Sequence, residues 1–367
     1  MNILFLTTHV NTGGITSYIL TLGEALNKSG HKVWVASSGG DCEDRFKAVG
    51  IKHIKINIRT KSELHPKVLL CLPALNRLIK ENRINLIHAQ TRVTQVLGFW
   101  LSRISRVKMV TTCHGFFKPR WFRKIFPCWG MGVIAISKPV AQHLIKDLGV
   151  PSPKVHLINN GIDLNRFGLI NEASRQELRQ KLGLGDSPLI GIISRLSDVK
   201  AIDVLIKAMP LILKELPSAN LLIAGQGPQE VPLKQLTQDL SLTAQVHFRD
   251  TVNQTPDLLG ALDVFVMPSL MEGLGLSVME AQACGIPVVA SRVGGLVDLI
   301  DDGISGFLVP CNDPTSLANR IIEVLRNPVK SRIMAQQARL KIEEYFSSIK
   351  MLKATLRVYE EFQTICQ

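Results

Sequence analysis

Two glutamates in a glycine-rich stretch have the clearest chemical potential in this sequence. Glu272 lies on a glycine-bounded loop, and Glu280 lies on the helix predicted at 275–284. The N–H groups of Gly275 and Leu276 at the start of that helix suit a diphosphate. Glu280 can accept two hydrogen bonds from a ribose diol, and Glu272 can meet hydroxyl groups of a sugar ring. Two solvated helix acids are the alternative, which this arrangement disfavours.

Two cations form a second candidate group. Arg195 and Lys200 follow the strand predicted at 189–193. They can converge on one anion, the arginine as a planar fork and the lysine as a point charge. Each cation–phosphate contact at 4 Å is worth on the order of 4 kcal/mol before desolvation. Surface charges without a role are the alternative, but the position at a strand end favours an anion site.

The first half contributes a glycine pair and a histidine. Gly13 and Gly14 lie between the first strand and the first helix, where the backbone can approach a phosphate. They match neither Gly-x-Gly-x-x-Gly nor a Gly-Lys-Ser/Thr loop, and a plain tight turn is the alternative. His114 directly follows a predicted strand. It can hydrogen-bond a sugar hydroxyl or a departing phosphate, or be a half-buried loop histidine.

Alternating strand and helix patterns must position these residues. Strands are predicted at 2–8, 32–37, 85–89, 107–112, 132–136, 189–193, 219–224, 245–248, 263–267 and 287–290, with helices near 15–29, 67–82, 92–104, 138–148, 201–215, 229–240, 275–284 and 315–326. This alternation predicts two parallel-sheet α/β domains that meet near 159–184. Ligands bind such sheets at the carboxyl ends of the strands, so we expect the site in a cleft between the domains. Residues 331–365 are predicted to be helical and to pack back on the first domain.

Length and charge narrow the class of protein. At 367 residues the chain is long enough for two domains. Residues 1–170 carry 24 Lys and Arg against 8 Asp and Glu, whereas the remainder has a net charge of −3. The basic half predicts an anionic partner, either nucleic acid or membrane lipid. The scattered cysteines indicate neither disulfides nor a zinc site. The sequence has no long uncharged apolar run and no signal peptide, which predicts a cytoplasmic protein.

Taken together, these motifs resemble the family-4 retaining glycosyltransferases of GT-B fold. The pair Glu272 and Glu280 matches the family's E-x7-E signature, and Gly225-Gln226-Gly227-Pro228 and Asn160-Gly161-Ile162-Asp163 are also similar. The resemblance implies two Rossmann-like domains facing each other across a cleft. Residues 1–165, completed by a C-terminal helix at about 345–367, would bind the acceptor. Residues 166–344 would bind the nucleotide sugar.

The resemblance also implies a role for each site residue. His114 and Glu272 would be catalytic, with His114 contacting the sugar near the reacting carbon. Arg195 and Lys200 would neutralise the diphosphate and Glu280 would hold the ribose. The full donor-binding set would be Gly13, Gly14, Arg195, Lys200, Gly227, Arg249, Gly273, Gly275, Leu276 and Glu280, with Gly227 and Arg249 beside the nucleobase. One departure is Ala201, where many members of the family have glycine.

The implied activity is transfer of a hexose-type sugar from a UDP- or GDP-sugar to a saccharide or lipid-linked acceptor. Lipopolysaccharide or exopolysaccharide synthesis is the implied context, with no cofactor and no metal. The sequence also lacks an Asp-x-Asp clamp. There are four alternatives: a GT-B sugar-nucleotide epimerase, a non-catalytic nucleic-acid- or membrane-binding protein, a non-catalytic partner that keeps the fold without the activity, and an oxidoreductase. The intact site residues argue against the non-catalytic partner. The oxidoreductase is disfavoured because no dinucleotide fingerprint follows the first strand of either domain.

A basic and aromatic segment follows His114. Residues 116–129 contain four cations and six aromatic side chains. Such a mixture suits a lipid headgroup layer. Single-stranded nucleic acid would also fit it, and a loop with buried aromatics is a further alternative. Its position beside the expected cleft favours a lipid-linked acceptor. We therefore expect peripheral contact with an anionic membrane at its cytoplasmic face, and no nucleic-acid partner.

Overall fold

The computed structural model describes residues 1–60, 62–117, 123, 125–181, 183, 185–250 and 255–364. The chain divides into two compact units. The first comprises Met1–Gly161 together with Ser348–Gln367, and the second comprises Ile162–Ser347. No helix within the described ranges is long and apolar enough to cross a membrane.

The first unit is built on a parallel sheet. Its strands are β1 (Asn2–Leu6), β2 (Lys32–Ser37), β3 (Lys52–Lys55), β4 (Leu86–Ala89), β5 (Lys108–Cys113), β6 (Gly132–Ala135) and β7 (Val155–Leu157). They lie in the order β3-β2-β1-β4-β5-β6-β7, and every pair is parallel. In β1, Ile3 and Phe5 enter one hydrophobic cluster while Leu4 and Leu6 enter another. This alternation gives the sheet a core on each face.

Helices cover both faces of this sheet. They are α1 (Gly14–Lys28), α2 (Glu43–Ala48), α3 (Lys67–Leu70), α4 (Leu72–Glu81), α5 (Arg92–Ser105) and α6 (Lys138–Lys146). The single helix predicted near 67–82 is therefore two helices joined at Cys71. Pro73 explains the break, because its ring clashes with the carbonyl four residues earlier unless a new helix begins there.

The second unit repeats the architecture. Its strands are β8 (Leu189–Ile193), β9 (Asn220–Ala224), β10 (Val246–Arg249), β11 (Val264–Met267), β12 (Val288–Ser291) and β13 (Phe307–Val309). They lie in the order β10-β9-β8-β11-β12-β13 and are all parallel. The predicted fold class, two parallel-sheet α/β domains, is confirmed.

The helices of the second unit include the donor-site helix of the sequence analysis. They are α7 (Glu172–Lys181), α8 (Ile202–Glu215), α9 (Glu230–Asp239), α10 (Thr255–Gly260), α11 (Leu276–Ala283), α12 (Leu296–Leu299), α13 (Pro314–Arg326) and α14 (Pro328–Tyr345). Helix α14 packs against α11.

The last helix, α15 (Ser348–Thr364), belongs to the first unit. It packs against α1 and contributes Met351, Val358, Tyr359 and Phe362 to the core there. The helical stretch predicted over 331–365 is therefore two helices, and its first part packs in the second unit. The break lies at Phe346 and Ser347, where the Phe346 carbonyl accepts a hydrogen bond from the N–H of Ile162 at 3.0 Å.

Candidate active site

The loops after β8 and β9 run side by side in the second unit. The N–H of Leu196 donates to the carbonyl of Gln226 at 3.0 Å. A Cβ on Gly225 would lie 1.8 Å from the carbonyl oxygen of Ser194, and one on Gly227 would lie 2.1 Å from that of Leu196. Only glycine allows this approach, which brings the predicted nucleobase residue Gly227 beside the loop that carries Arg195.

An ion pair joins the loops after β8 and β11. Lys200 Nζ donates to Oε2 of Glu272, and the two side chains are 19% and 15% exposed. Ser269, which is fully buried, donates its hydroxyl to the same carboxylate oxygen at 3.4 Å. The N–H of Leu270 donates to the carbonyl of Val199 at 2.8 Å. The structure thus brings a predicted phosphate ligand and a predicted sugar ligand into direct contact.

Arg195 differs from Lys200 in its contacts. Its side chain is exposed and makes no hydrogen bond or ion pair with the part of the chain that the structure describes. The guanidinium can therefore meet an anion without breaking an existing contact. A planar fork suits two phosphate oxygens.

The start of α11 presents backbone donors. Gly275 precedes the helix with φ 104° and ψ 65°, a left-handed conformation that favours glycine. The first turn carries no acidic side chain. The N–H groups of Gly275 and Leu276 have no hydrogen-bond partner within the described residues. Glu280, on the same helix, is half-buried. This end of the helix can bind an anion.

Two further glycines, which the sequence analysis missed, fix the backbone of Glu272. The N–H of Gly295 donates to the Glu272 carbonyl at 3.0 Å. A Cβ on Gly294 would lie 1.9 Å from that same oxygen, and one on Gly295 would lie 2.3 Å from the Gly273 carbonyl. A signal was present, because this Gly-Gly pair follows β12 just as Gly13 and Gly14 follow β1.

In the first unit, Gly13 and Gly14 form the exposed start of α1. The Gly13 carbonyl accepts from the N–H of Ser17 at 2.9 Å, and the first turn has no acidic residue. The N–H of Thr12 donates to the Asp41 carboxylate at 2.6 Å. An acid therefore stands beside the predicted phosphate loop, a feature absent from the sequence prediction.

His114 lies directly after β5, with its ring held on one side. Its Nε2 lies 2.8 Å from Oε1 of Gln90, and its ring meets that of Tyr18 edge-on with 4.8 Å between centroids. Nδ1 is buried without a hydrogen-bond partner in the described part of the chain. Burial of the ring lowers the pKa of His114 to about 3. His114 is therefore a neutral imidazole.

A buried polar chain lies behind this histidine. His88 on β4 is fully buried, with Nδ1 2.6 Å from the Tyr359 hydroxyl and Nε2 2.7 Å from Oγ1 of Thr112. The Tyr18 hydroxyl lies 3.2 Å from the same Thr112 oxygen. Tyr359 on α15 is thereby linked through His88 and Thr112 to Tyr18, the residue whose ring packs on His114.

The predicted site residues follow strand ends in each unit. Those of the second unit lie on the loops after β8, β9 and β11, in the helix α11, or at Arg249, the last residue of β10. Because the sheet is parallel, these carboxyl ends share one edge. Gly13, Gly14 and His114 follow β1 and β5 of the first unit. The described residues contain no group of three or more His, Cys, Asp or Glu side chains that could hold a metal ion.

The basic and aromatic segment is described only in part. Lys118, Arg120 and Lys124, on which the membrane prediction depends, lie outside the described residues. Arg123 is described, and its guanidinium lies 5.0 Å from the ring centre of Phe117. Ile125 is 70% exposed, whereas Trp129 is buried.

Two family models match the chain. One, described as glycosyl transferases group 1, matches residues 174–341, and the other, described as glycosyltransferase family 4, matches residues 12–166. The two matched ranges correspond to most of the second and first units.

Individual relatives match at low identity over most of the chain. The UDP-Gal:alpha-D-GlcNAc-diphosphoundecaprenol alpha-1,3-galactosyltransferase of Escherichia coli is 29% identical, covering 80% of this chain and 79% of the relative. The N-acetyl-alpha-D-glucosaminyl L-malate synthase of Bacillus anthracis is 25% identical, covering 96% and 95%. The structure of Anabaena HepE in complex with UDP and glucose superposes with a TM-score of 0.87 at 23% identity, covering 98% of this chain and all of that one.

Proposed function

Because this chain belongs to family 4 of the glycosyltransferases of GT-B fold, we propose that it is a retaining hexosyltransferase of cell-envelope glycan synthesis. It moves a hexose-type sugar from a UDP- or GDP-sugar to a saccharide or lipid-linked acceptor. The observation that carries this proposal is the contact between Lys200 and Glu272 beside the open start of α11. Cation, carboxylate and backbone donors of this kind match the phosphate and hydroxyl groups of a nucleotide sugar.

The second unit would bind the donor. Arg195 and Lys200 neutralise the diphosphate, and the N–H groups at the start of α11 bind its oxygens. Glu280 binds the ribose hydroxyls. Gly227 and Arg249 lie beside the nucleobase, at the ends of neighbouring strands. The positive charge supplied by the protein supports metal-independent transfer, because no divalent cation is then needed to offset the phosphates.

Glu272 and His114 would act at the transferred sugar. Glu272 binds sugar hydroxyls, and Lys200, its ion-pair partner, binds phosphate. The ion pair thereby spans the bond between the anomeric carbon and the phosphate oxygen, which breaks during transfer. Such contacts accelerate transfer if they strengthen as charge develops at the anomeric carbon. Retention by double displacement would require a carboxylate nucleophile beside that carbon. We propose instead attack from the face of the departing phosphate, which takes the proton of the acceptor hydroxyl.

The acceptor is proposed to be held at an anionic membrane, at its cytoplasmic face. Residues 52–124 contain 16 Lys and Arg but only two acids, Glu63 and Glu81. In this region α3 packs against α5, and Leu70, Trp100 and Ile104 are 75%, 40% and 53% exposed. Exposed apolar side chains among cations suit a lipid headgroup layer. The lipid-linked acceptor named for the Escherichia coli relative supports the same class of substrate.

The test is transfer from a panel of UDP- and GDP-sugars to lipid-linked and free saccharide acceptors, in excess EDTA. We expect one donor to yield a glycoside with retained anomeric configuration, as measured by NMR of the product. Interconversion of the nucleotide sugar without an acceptor would identify an epimerase instead. Activity that requires added Mg²⁺ or Mn²⁺ would contradict the phosphate site described above.

A further inference from the structure

Gln90 is placed rigidly beside the ring of His114. It follows β4, is 1% exposed, and donates its backbone N–H to the Leu6 carbonyl at 2.9 Å. Its side-chain nitrogen faces the His88 carbonyl at 3.5 Å. The amide oxygen is thereby turned towards His114, whose Nε2 lies 2.8 Å away.

An amide oxygen only accepts hydrogen bonds, so Nε2 of His114 must be the donor. In a neutral imidazole the other nitrogen, Nδ1, then has a lone pair and no proton. The contact with Gln90 therefore determines the tautomer of His114.

Nδ1 is the unsatisfied atom of this arrangement. It is buried and has no partner among the described residues, which is costly for a polar atom unless a ligand supplies a proton. The sequence allows two hydrogen-bond partners for His114, a sugar hydroxyl and a departing phosphate. A phosphate oxygen without a proton cannot donate to Nδ1, whereas a hydroxyl can.

We propose that Gln90 is a positioning residue that keeps the proton of His114 on Nε2, so that Nδ1 accepts a hydrogen bond from a hydroxyl group of the bound sugar. This assignment rests on the proposed glycosyltransfer for the identity of the ligand. The tautomer itself does not depend on it.

The groups that face His114 leave it neutral at ordinary pH. Burial lowers the pKa of His114 to about 3 and that of His88, on β4, well below its usual value. Burial raises the pKa of Tyr18, on α1. It also raises the pKa of the adjacent Cys113, to about 12. None of the four changes charge between about pH 5 and pH 8, so the wild-type tautomer is constant over that range.

Two variants separate positioning from packing. Gln90→Glu introduces a carboxylate that stabilises the imidazolium, which raises the pKa of His114 by about 1–3 units. At pH 8 the ring stays neutral, Nε2 still donates, and we expect kcat within about threefold of wild type. At pH 5 protonation removes the acceptor from part of the molecules or most of them, and kcat falls further than in wild type, by up to about tenfold. Gln90→Met keeps the volume without the acceptor, and kcat should fall about tenfold at every pH.

Gln95→Glu is the matched control. It places the same charge at another buried glutamine of this unit, whose amide oxygen accepts from Arg92 at 3.5 Å instead of contacting His114. Its pH profile should follow that of the wild type. A purely structural role for Gln90 would give Gln90→Glu the same loss at pH 5 and pH 8, which would overturn the proposal.

¹⁵N NMR of histidine-labelled protein reads the tautomer without any substrate, with the His114 signals assigned by their loss in His114→Asn. We expect a protonated Nε2 and an unprotonated Nδ1 in the wild type, and imidazolium at pH 5 only in Gln90→Glu. A proton on Nδ1 in the wild type would overturn the proposal whatever the activity. The expected tautomer in a protein that transfers no sugar would instead refute the proposed function.

Discussion

At the level of single residues, the ion pair between Lys200 and Glu272 determines how a diphosphate can bind. The carboxylate already neutralises the cation, and both side chains are largely buried. A phosphate must share Lys200 with Glu272, while the Arg195 side chain has no hydrogen bond or ion pair with the described residues. The two predicted phosphate cations therefore make unequal contributions.

Donor binding should reveal this inequality. Arg195→Ala and Glu280→Ala each remove one charge-assisted contact, so nucleotide affinity should fall about ten- to a hundredfold. The nucleotide affinity of Lys200→Ala should fall further, because this variant also leaves the Glu272 carboxylate uncompensated beside the phosphates. Calorimetric titration with UDP and GDP measures all three.

Lys207→Ala is the control, since Lys207 pairs with Asp203 at 2.7 Å on the exposed surface of α8. Unchanged nucleotide affinity in the three site variants would refute the assignment of the phosphate site.

Sequence reasoning reached these residues because their motifs follow predicted strands. It could not find Gln90 or the ion pair of Lys200 with Glu272, because both depend on which loops become neighbours in the folded sheet. It also noted Ala201 only as a departure from the glycine of many family members. In the structure Ala201 has φ 47° and ψ 44°, a left-handed conformation that costs a non-glycine residue roughly 1–2 kcal/mol.

At the level of elements, helix α15 completes the buried polar chain of the first unit. The Tyr359 hydroxyl is the partner of His88 Nδ1, and both side chains are fully buried. The pKa of His88 lies well below its usual value and that of Tyr359 well above, because burial disfavours the charged form of each. The buried polar chain formed by these side chains is thus uncharged and is held by hydrogen bonds alone.

Removing the Tyr359 hydroxyl should destabilise the protein. Tyr359→Phe leaves a buried histidine nitrogen without a partner, and the free energy of unfolding should fall by about 1–3 kcal/mol. Urea denaturation followed by circular dichroism measures the change. Tyr345→Phe, at a side chain that is 56% exposed, is the control and should have little effect. Equal stability of the two variants would show that the contact with His88 contributes nothing.

The central strands were predictable because they are apolar, buried and bounded by clear helix patterns. β3, β7 and β13 were missed, since each has only three or four residues and two of them are partly exposed. The division between α14 and α15 was missed as well. It depends on a hydrogen bond from the distant Ile162 to Phe346, which no local pattern reveals.

At the level of the whole molecule, the distribution of charge is the feature most relevant to the acceptor. Within residues 52–124, the number of Lys and Arg minus the number of Asp and Glu is larger than the net charge of the entire chain, which is +13. Near an anionic leaflet each cation contributes about 1 kcal/mol, so several give weak attachment that salt reverses.

Flotation with vesicles containing anionic lipid tests this attachment. The wild type should float at about 0.1 M salt and remain below at about 1 M salt. A Lys67→Glu/Arg103→Glu variant, altered beside the exposed apolar residues of α3 and α5, should float at least tenfold less. Lys207→Glu/Lys214→Glu on α8 is the control with the same change of charge. Equal, negligible flotation of all three proteins at low salt, or binding to single-stranded nucleic acid alone, would contradict a membrane partner.

The position of α15 in the first unit has a consequence for biosynthesis. Met1–Gly161 emerges from the ribosome long before Ser348–Thr364 is synthesised. The first sheet therefore emerges with one face lacking Met351, Val358 and Phe362. The second unit is continuous in sequence and can fold as soon as it has emerged. We expect the nascent first unit to expose an apolar surface that chaperones recognise, until translation of the last helix closes it.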